Sequence, residues 1–125
     1  MAILLVTHDW GVVADLCHRV VVMYAGQTVE KAEAQALFDE PLHPYTHGLL
    51  QSNPAAAIPG KQLPSMPGRA PSPGAWPAGC RFAPRCPLAT GDCRIDAIPN
   101  VPSGAGRESR CIHVGSLRHR KGAAV

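Results

Sequence analysis

An α/β fold followed by an irregular, proline-rich extension is predicted from three observations. A continuous apolar run at residues 2–6 ends in polar Thr7-His8-Asp9. Helix-like and strand-like spacings then alternate as far as residue 52. From residue 53 the periodicity stops, and residues 53–103 hold most of the 13 prolines together with cysteines at 80, 86 and 93. The first fifty residues can build a core. The remainder can bury little apolar surface and must be stapled, partner-bound or loop-like.

Each element follows from its local pattern. The run at residues 2–6 reads as a strand covered on both faces, as in a parallel sheet. Val12, Val13, Leu16 and Cys17 fall at helical spacing, and Asp9 is placed to cap that helix. Residues 19–24 form a β-branched run, Ala25-Gly26 a turn and residues 27–30 a returning strand, which makes a hairpin. Residues 33–40 suit a short helix that Pro41 ends, and Pro44 can open another helix running to about residue 52. Beyond that point, Pro-Gly pairs at 59–60, 67–68 and 73–74 mark turns. The two apolar strands are too little sheet to stand alone, and their missing neighbours are expected from a longer parent polypeptide.

Charge and hydropathy exclude several classes. The net charge of +3 is mild, and no aromatic-plus-basic platform for nucleic acid is present. The basic run Arg118, His119, Arg120 and Lys121 reads as a solvated tail. No apolar run approaches the ~20 residues of a membrane span, and the first residues lack the basic flank of a signal peptide. A cytoplasmic location is therefore expected, where cysteines are thiols or metal ligands.

Three strings in fixed order identify a family. The segment from Ile3 through Thr7-His8-Asp9 and Gly11-Val12-Val13 to Arg19-Val20-Val21-Val22-Met23-Tyr24-Ala25-Gly26 resembles the switch-histidine region of ABC ATPases. Leu37-Phe38 followed by Pro41-Leu42-His43-Pro44-Tyr45-Thr46-His47-Gly48-Leu49-Leu50 resembles the marker of the oligopeptide/dipeptide/nickel importer branch. Leu63-Pro64-Ser65-Met66-Pro67-Gly68, and then Gly79-Cys80-Arg81-Phe82-Ala83-Pro84-Arg85-Cys86-Pro87 with Cys93, resemble that branch's C-terminal extension. Trp10 stands where leucine is frequent. Ala32 stands where the family turns on glycine, so the exit from the hairpin is expected to differ.

The resemblance implies an organisation. Residues 1–52 would be the C-terminal part of an ABC ATPase domain, 53–113 the four-cysteine extension and 114–125 a basic tail. His8 would be the switch histidine, donating to the γ-phosphate and positioning the attacking water, while Asp9 caps the helix. ATP and magnesium would belong to the full-length subunit. Its partners would be a second ATPase subunit and transmembrane permeases, which would place it peripherally on the cytoplasmic face of the membrane.

No G-x-x-x-x-G-K-[ST] phosphate loop occurs in the chain, and the family's glycine-rich signature is missing too. Gly60-Lys61 lacks the flanking residues. Ala36-Leu37-Phe38-Asp39-Glu40 follows the histidine where a magnesium-binding strand would precede it. The chain alone is expected not to hydrolyse ATP. Alternatives are a free-standing four-cysteine metal module or a truncated remnant without independent activity.

The cysteines are the second candidate site. Cys80, Cys86, Cys93 and Cys111 are spaced C-x5-C-x6-C-x17-C. Such a set could form disulfides in an oxidising compartment, bind structural zinc, hold a 4Fe–4S cluster, which tolerates irregular spacing, or stay as unligated thiols. In some members of the resembling family the matching cysteines hold such a cluster, which points to iron–sulfur ahead of zinc. Arg81, Arg85, Arg94 and Arg110 are expected to lower the thiol pKa values. Cys17 reads as a small core residue. His43 and His47 read as packing residues, since Pro44 opens a helix between them.

Overall fold

The computed structural model describes residues 1–54 and 57–114. Helix α1 spans Trp10–Leu16, and the hairpin strands β1 and β2 span Arg19–Tyr24 and Gln27–Glu33. Helices α2 and α3 follow at Ala34–Asp39 and Pro44–Gln51. The extension adds 3₁₀ turns at Ala83–Arg85 and Gly91–Arg94, and two short strands, β3 (Val101–Pro102) and β4 (Glu108–Ser109). The expected basic tail lies outside the described residues.

The four strands form one antiparallel sheet in the order β1-β2-β4-β3. The hairpin turns on Ala25 and Gly26 with φ of 48° and 78°, the pair of left-handed residues that a tight two-residue loop demands. A register shift between Val22 and Met23 bends the ribbon. β2 runs to Glu33, beyond the strand expected from the sequence, and Ala32 lies fully buried opposite Val20. The chain therefore continues straight where a glycine would turn it.

The helices match their sequence signals. Asp9 Oδ1 accepts from the amides of Gly11 at 2.9 Å and Val12 at 3.3 Å, capping α1. Trp10 meets Phe38 edge to face at 5.6 Å, tying α1 to α2. Pro44 opens α3, where its missing N–H costs nothing.

Residues 2–6 depart from expectation. They join no sheet in the structure, and Ile3, Leu4 and Val6 are 80–93% exposed. An all-apolar strand has no polar face to offer water, so it needs neighbours on both sides. The β1–β2–β4–β3 sheet does not supply them. Val21 and Met23 also face outward, while Val22 and Tyr24 face the core. Cys17 is half-buried rather than a core residue.

The core unites both halves of the chain. Val22, Tyr24, Val29, Ala32 and Leu37 pack with Phe82 of the extension, and Met66, Cys80 and Cys86 lie against them. Trp76 and Arg81 clasp the hairpin turn. The Arg81 guanidinium sits 3.7 Å from the Trp76 ring centroid and donates to the Ala25 carbonyl at 2.7 Å. The proline-rich segment is strapped to α3 by Ser52, whose hydroxyl donates to the Pro64 carbonyl at 2.9 Å.

Candidate functional site

The site is built around the start of α3. His43 has extended backbone geometry, as a residue before proline must. Its Nδ1 accepts from the Tyr45 amide at 3.0 Å, so the imidazole itself caps the helix. The ring is 1% exposed and packs on Phe82 at 5.9 Å. Burial is the main reason its pKa falls to about 4, so it is neutral at physiological pH. Phe82 also meets Tyr24 at 5.3 Å and Tyr45 at 5.5 Å. The His-Pro-Tyr string thus acts by packing and capping. His47 pairs instead with Gln51 at 3.4 Å.

Beneath this turn lies a buried carboxylate to which the sequence reading assigned no role. Glu30 is fully buried; its Oε1 accepts from the Leu42 amide at 2.8 Å and its Oε2 from the His43 amide at 3.0 Å. Arg107 Nη2 donates to Glu30 Oε1 at 3.2 Å and also to the Glu40 carbonyl. Burial raises the Glu30 pKa, against the opposing pull of the amides and of Arg107. Ser109 Oγ donates to the Leu42 carbonyl at 3.3 Å. The partners are 77 residues apart, and no local pattern could have paired them.

On the other side of His43 lies the cysteine pocket. Cys80, Cys86, Cys93 and Cys111 all line one cavity of about 10 Å³, together with His43, Phe82 and His113. The backbone is drawn tight here. The Cys80 amide donates to the Cys93 carbonyl at 2.7 Å, and a Cβ on Gly79 would lie 2.2 Å from that carbonyl oxygen. Two sulfurs accept local amides, Cys86 from Leu88 at 3.4 Å and Cys111 from His113 at 3.3 Å. Thr90 Oγ1 lies 3.7 Å from the Cys93 sulfur and 3.1 Å from His113 Nε2.

Three of the four thiols are held back from ionising. Burial pushes up the pKa values of Cys80 and Cys86, and that of Cys111 to about 11. This reverses the expectation that neighbouring arginines would lower them. The guanidinium groups are committed elsewhere: Arg81 to the Ala25 carbonyl, Arg85 to the Pro67 carbonyl, and Arg110 to the Thr28 and Ile98 carbonyls. Arg94 is exposed. Desolvation therefore outweighs charge.

The donor chemistry suits a thiolate-bound metal, but the arrangement does not present one ready-made. Among the described residues no group of three or more His, Cys, Asp or Glu side chains is disposed to hold a metal ion. The cavity has the volume of about one water molecule, too little for a four-iron cluster without movement of its walls.

His8 stands apart. It is exposed between Thr7 and the capping Asp9, and it is not part of the cysteine cavity. No helix among the described residues is long and apolar enough to cross a membrane.

Comparison with known proteins bears on both halves. Residues 29–93 match the family described as the oligopeptide/dipeptide transporter, C-terminal region. Over 111 residues, 89% of this chain, it is 48% identical to an oligopeptide transport ATP-binding protein of Bacillus subtilis. Over the same length it is 44% identical to a dipeptide transport ATP-binding protein of Escherichia coli and 46% to a putative peptide import ATP-binding protein of Brucella abortus. The chain spans about a third of the length of these relatives, 33–34% of each. With the matched segment covering Glu30, the His-Pro-Tyr turn above it and three of the four clustered cysteines, the chain belongs to the oligopeptide/dipeptide transporter C-terminal region family.

Proposed function

We propose that this chain supplies the switch-histidine end and the C-terminal extension of an ATP-binding subunit in a peptide importer. The carrying observation is the 43–48% identity to peptide, oligopeptide and dipeptide transport ATP-binding proteins across 111 residues. In the complete subunit, ATP hydrolysis would energise passage of peptide through transmembrane permeases, with the subunit on the cytoplasmic side. His8 would meet the γ-phosphate of ATP held by phosphate-loop residues that this sequence lacks, its N–H aimed at charge developing on the phosphoryl oxygens. Asp9 serves the helix, and His43 serves the turn. Magnesium enters with the nucleotide, and no residue here is assigned to it.

An exchange experiment tests this reading. The corresponding third of the Bacillus subtilis relative is replaced by residues 2–112 of this chain, and ATP turnover is measured with its transport partners. The chimaera is expected to retain turnover, and His8→Ala within it to abolish turnover while nucleotide binding persists. A chimaera that turns over ATP equally well with His8→Ala would overturn the assignment. The isolated chain is expected to show no turnover. A four-cysteine metal site, iron–sulfur ahead of zinc, is a separate part of the reading, motivated by the four thiols lining one cavity and requiring the walls of that cavity to move. Iron, acid-labile sulfide and zinc content of protein prepared without oxygen tests it. About four irons and four sulfides per chain would carry the cluster, and absence of all three would remove it.

A further inference from the structure

We infer that the Glu30–Arg107 ion pair positions the cysteine pocket: by anchoring residues 107–111 it delivers the Cys111 thiol to the cavity lined by Cys80, Cys86 and Cys93. A role for Cys111 as a metal ligand rests on the metal-site reading above, whereas its placement stands on the geometry. The other three cysteines come from one local stretch that holds its own shape. The Cys80 amide donates to the Cys93 carbonyl at 2.7 Å, and the Cys86 and Cys93 amides close turns on Ala83 and Thr90 at 3.2 and 3.1 Å. Cys111 arrives from a separate segment. The family match ends at residue 93, before either Arg107 or Cys111.

That segment is fastened to the hairpin along its length. At its start Arg107 donates to Glu30 Oε1 at 3.2 Å and to the Glu40 carbonyl. Ser109 pairs with Glu30 on β2, and its hydroxyl donates to the Leu42 carbonyl at 3.3 Å. The Arg110 amide donates to the Val29 carbonyl at 2.8 Å. The next residue is Cys111, buried in the cavity wall. β4 is two residues long, below the usual range of strands, so its ladder alone gives the segment little hold. Arg107 and Glu30 are 7% and 0% exposed, so solvent and salt screen their attraction little. His43 joins clamp and pocket: its amide donates to Glu30 Oε2 at 3.0 Å, and its ring forms part of the cysteine cavity. Rival tethers lie nearer the pocket, where Arg110 Nη1 donates to the Ile98 carbonyl at 2.7 Å and His113 Nε2 lies 3.1 Å from Thr90 Oγ1.

Thiol labelling and cobalt binding of the whole chain test this. Trypsin cuts after Arg110 and puts Cys111 on its own peptide, apart from Cys80 and from Cys86 with Cys93. With a chelator present, iodoacetamide should label Cys111 at least about tenfold faster in Arg107→Leu than in wild type, with the other three cysteines little changed. If that variant labels throughout like the chain in urea, Glu30→Gln decides, because it removes the ion pair without stranding a carboxylate; it should give the same Cys111-selective rise. Cobalt(II) alone, added without oxygen or chelator, reports thiolate ligands through its sulfur charge-transfer band. Arg107→Leu should bind it about 10–100-fold more weakly, with the diminished band of Cys111→Ser. Cys111 labelling that is unchanged in both variants, or that rises only with the other three, would overturn the inference and leave placement to the rival tethers. Wild-type cobalt affinity and band in Arg107→Leu would overturn it too. A wild type that takes up no cobalt removes the metal reading, while a Cys111-selective rise still carries the placement.

Discussion

Removing the Arg107 guanidinium should damage this fold, because it strands a buried carboxylate. In Arg107→Leu the Glu30 carboxylate stays fully buried and keeps the Leu42 and His43 amides, but loses its ion pair with Arg107. The Glu40 carbonyl loses its donor as well. Breaking one side of a buried pair typically costs about 3–5 kcal/mol, because a desolvated charge is left behind. Urea unfolding of the chain at pH 7 reads this as a lower midpoint at constant slope. Adding Glu30→Gln removes the stranded charge, so the double variant should be more stable than the sum of the two single losses by at least about 1 kcal/mol.

A pH series sharpens the same test. The Glu30 pKa is raised above its ordinary 4.5 in the folded chain. Its protonated form therefore favours folding: that contribution is full below 4.5 and is lost as pH rises through the folded value. Loss of Arg107 raises the folded value further, so the gap between wild type and Arg107→Leu should narrow as pH falls towards 4.5. If Arg107→Leu costs less than about 1 kcal/mol, or if the two changes add within about 0.5 kcal/mol, the clamp does not depend on this pair and the reasoning fails.

Three further outcomes follow from the site. The His43 pKa is lowered from 6.5 to about 4, so its neutral form stabilises the fold above pH 6.5. About 3 kcal/mol should be lost between pH 6.5 and 4, and His43→Gln, compared with wild type by urea unfolding, should flatten that slope. Gly79→Ala sets a Cβ against the Cys93 carbonyl and should cost about 1–3 kcal/mol as overpacking, with faster alkylation of Cys80 and Cys93. Cys111, with its pKa near 11, should resist iodoacetamide at pH 8 in the folded chain and react readily in urea.

What could be read in advance was local. The hairpin turn, the Asp9 cap, the stop at Pro41 and the start at Pro44 each depend on residues within a few positions, and each is present. The strand expected at residues 2–6 depends on neighbours that its own side chains cannot provide. β3 and β4 are two residues each, too short to show any alternation, and they exist because β2 offers an edge to β4, which in turn pairs with β3. The grouping of the cysteines was legible from their number and setting. The direction of their pKa shifts was not, because it turns on where four arginine heads end up after folding. Glu30 looked like an ordinary strand-end residue, and only the tertiary return of Arg107 shows its role.

The clamp also has a consequence in time. Glu30 and Arg107 are made 77 residues apart, which at ribosomal speeds of 5–20 residues per second is a gap of roughly 4–15 s. Throughout that interval the hairpin can form, but the carboxylate beneath the His-Pro-Tyr turn has no countercharge and its burial is disfavoured. The sheet is equally incomplete, since β4 must slot between β2 and β3. The later-made segment around Arg107 therefore acts as the key that closes the earlier-made hairpin. Any nascent chain that stalls before residue 107 should leave the turn unlatched, with its apolar hairpin available to chaperones.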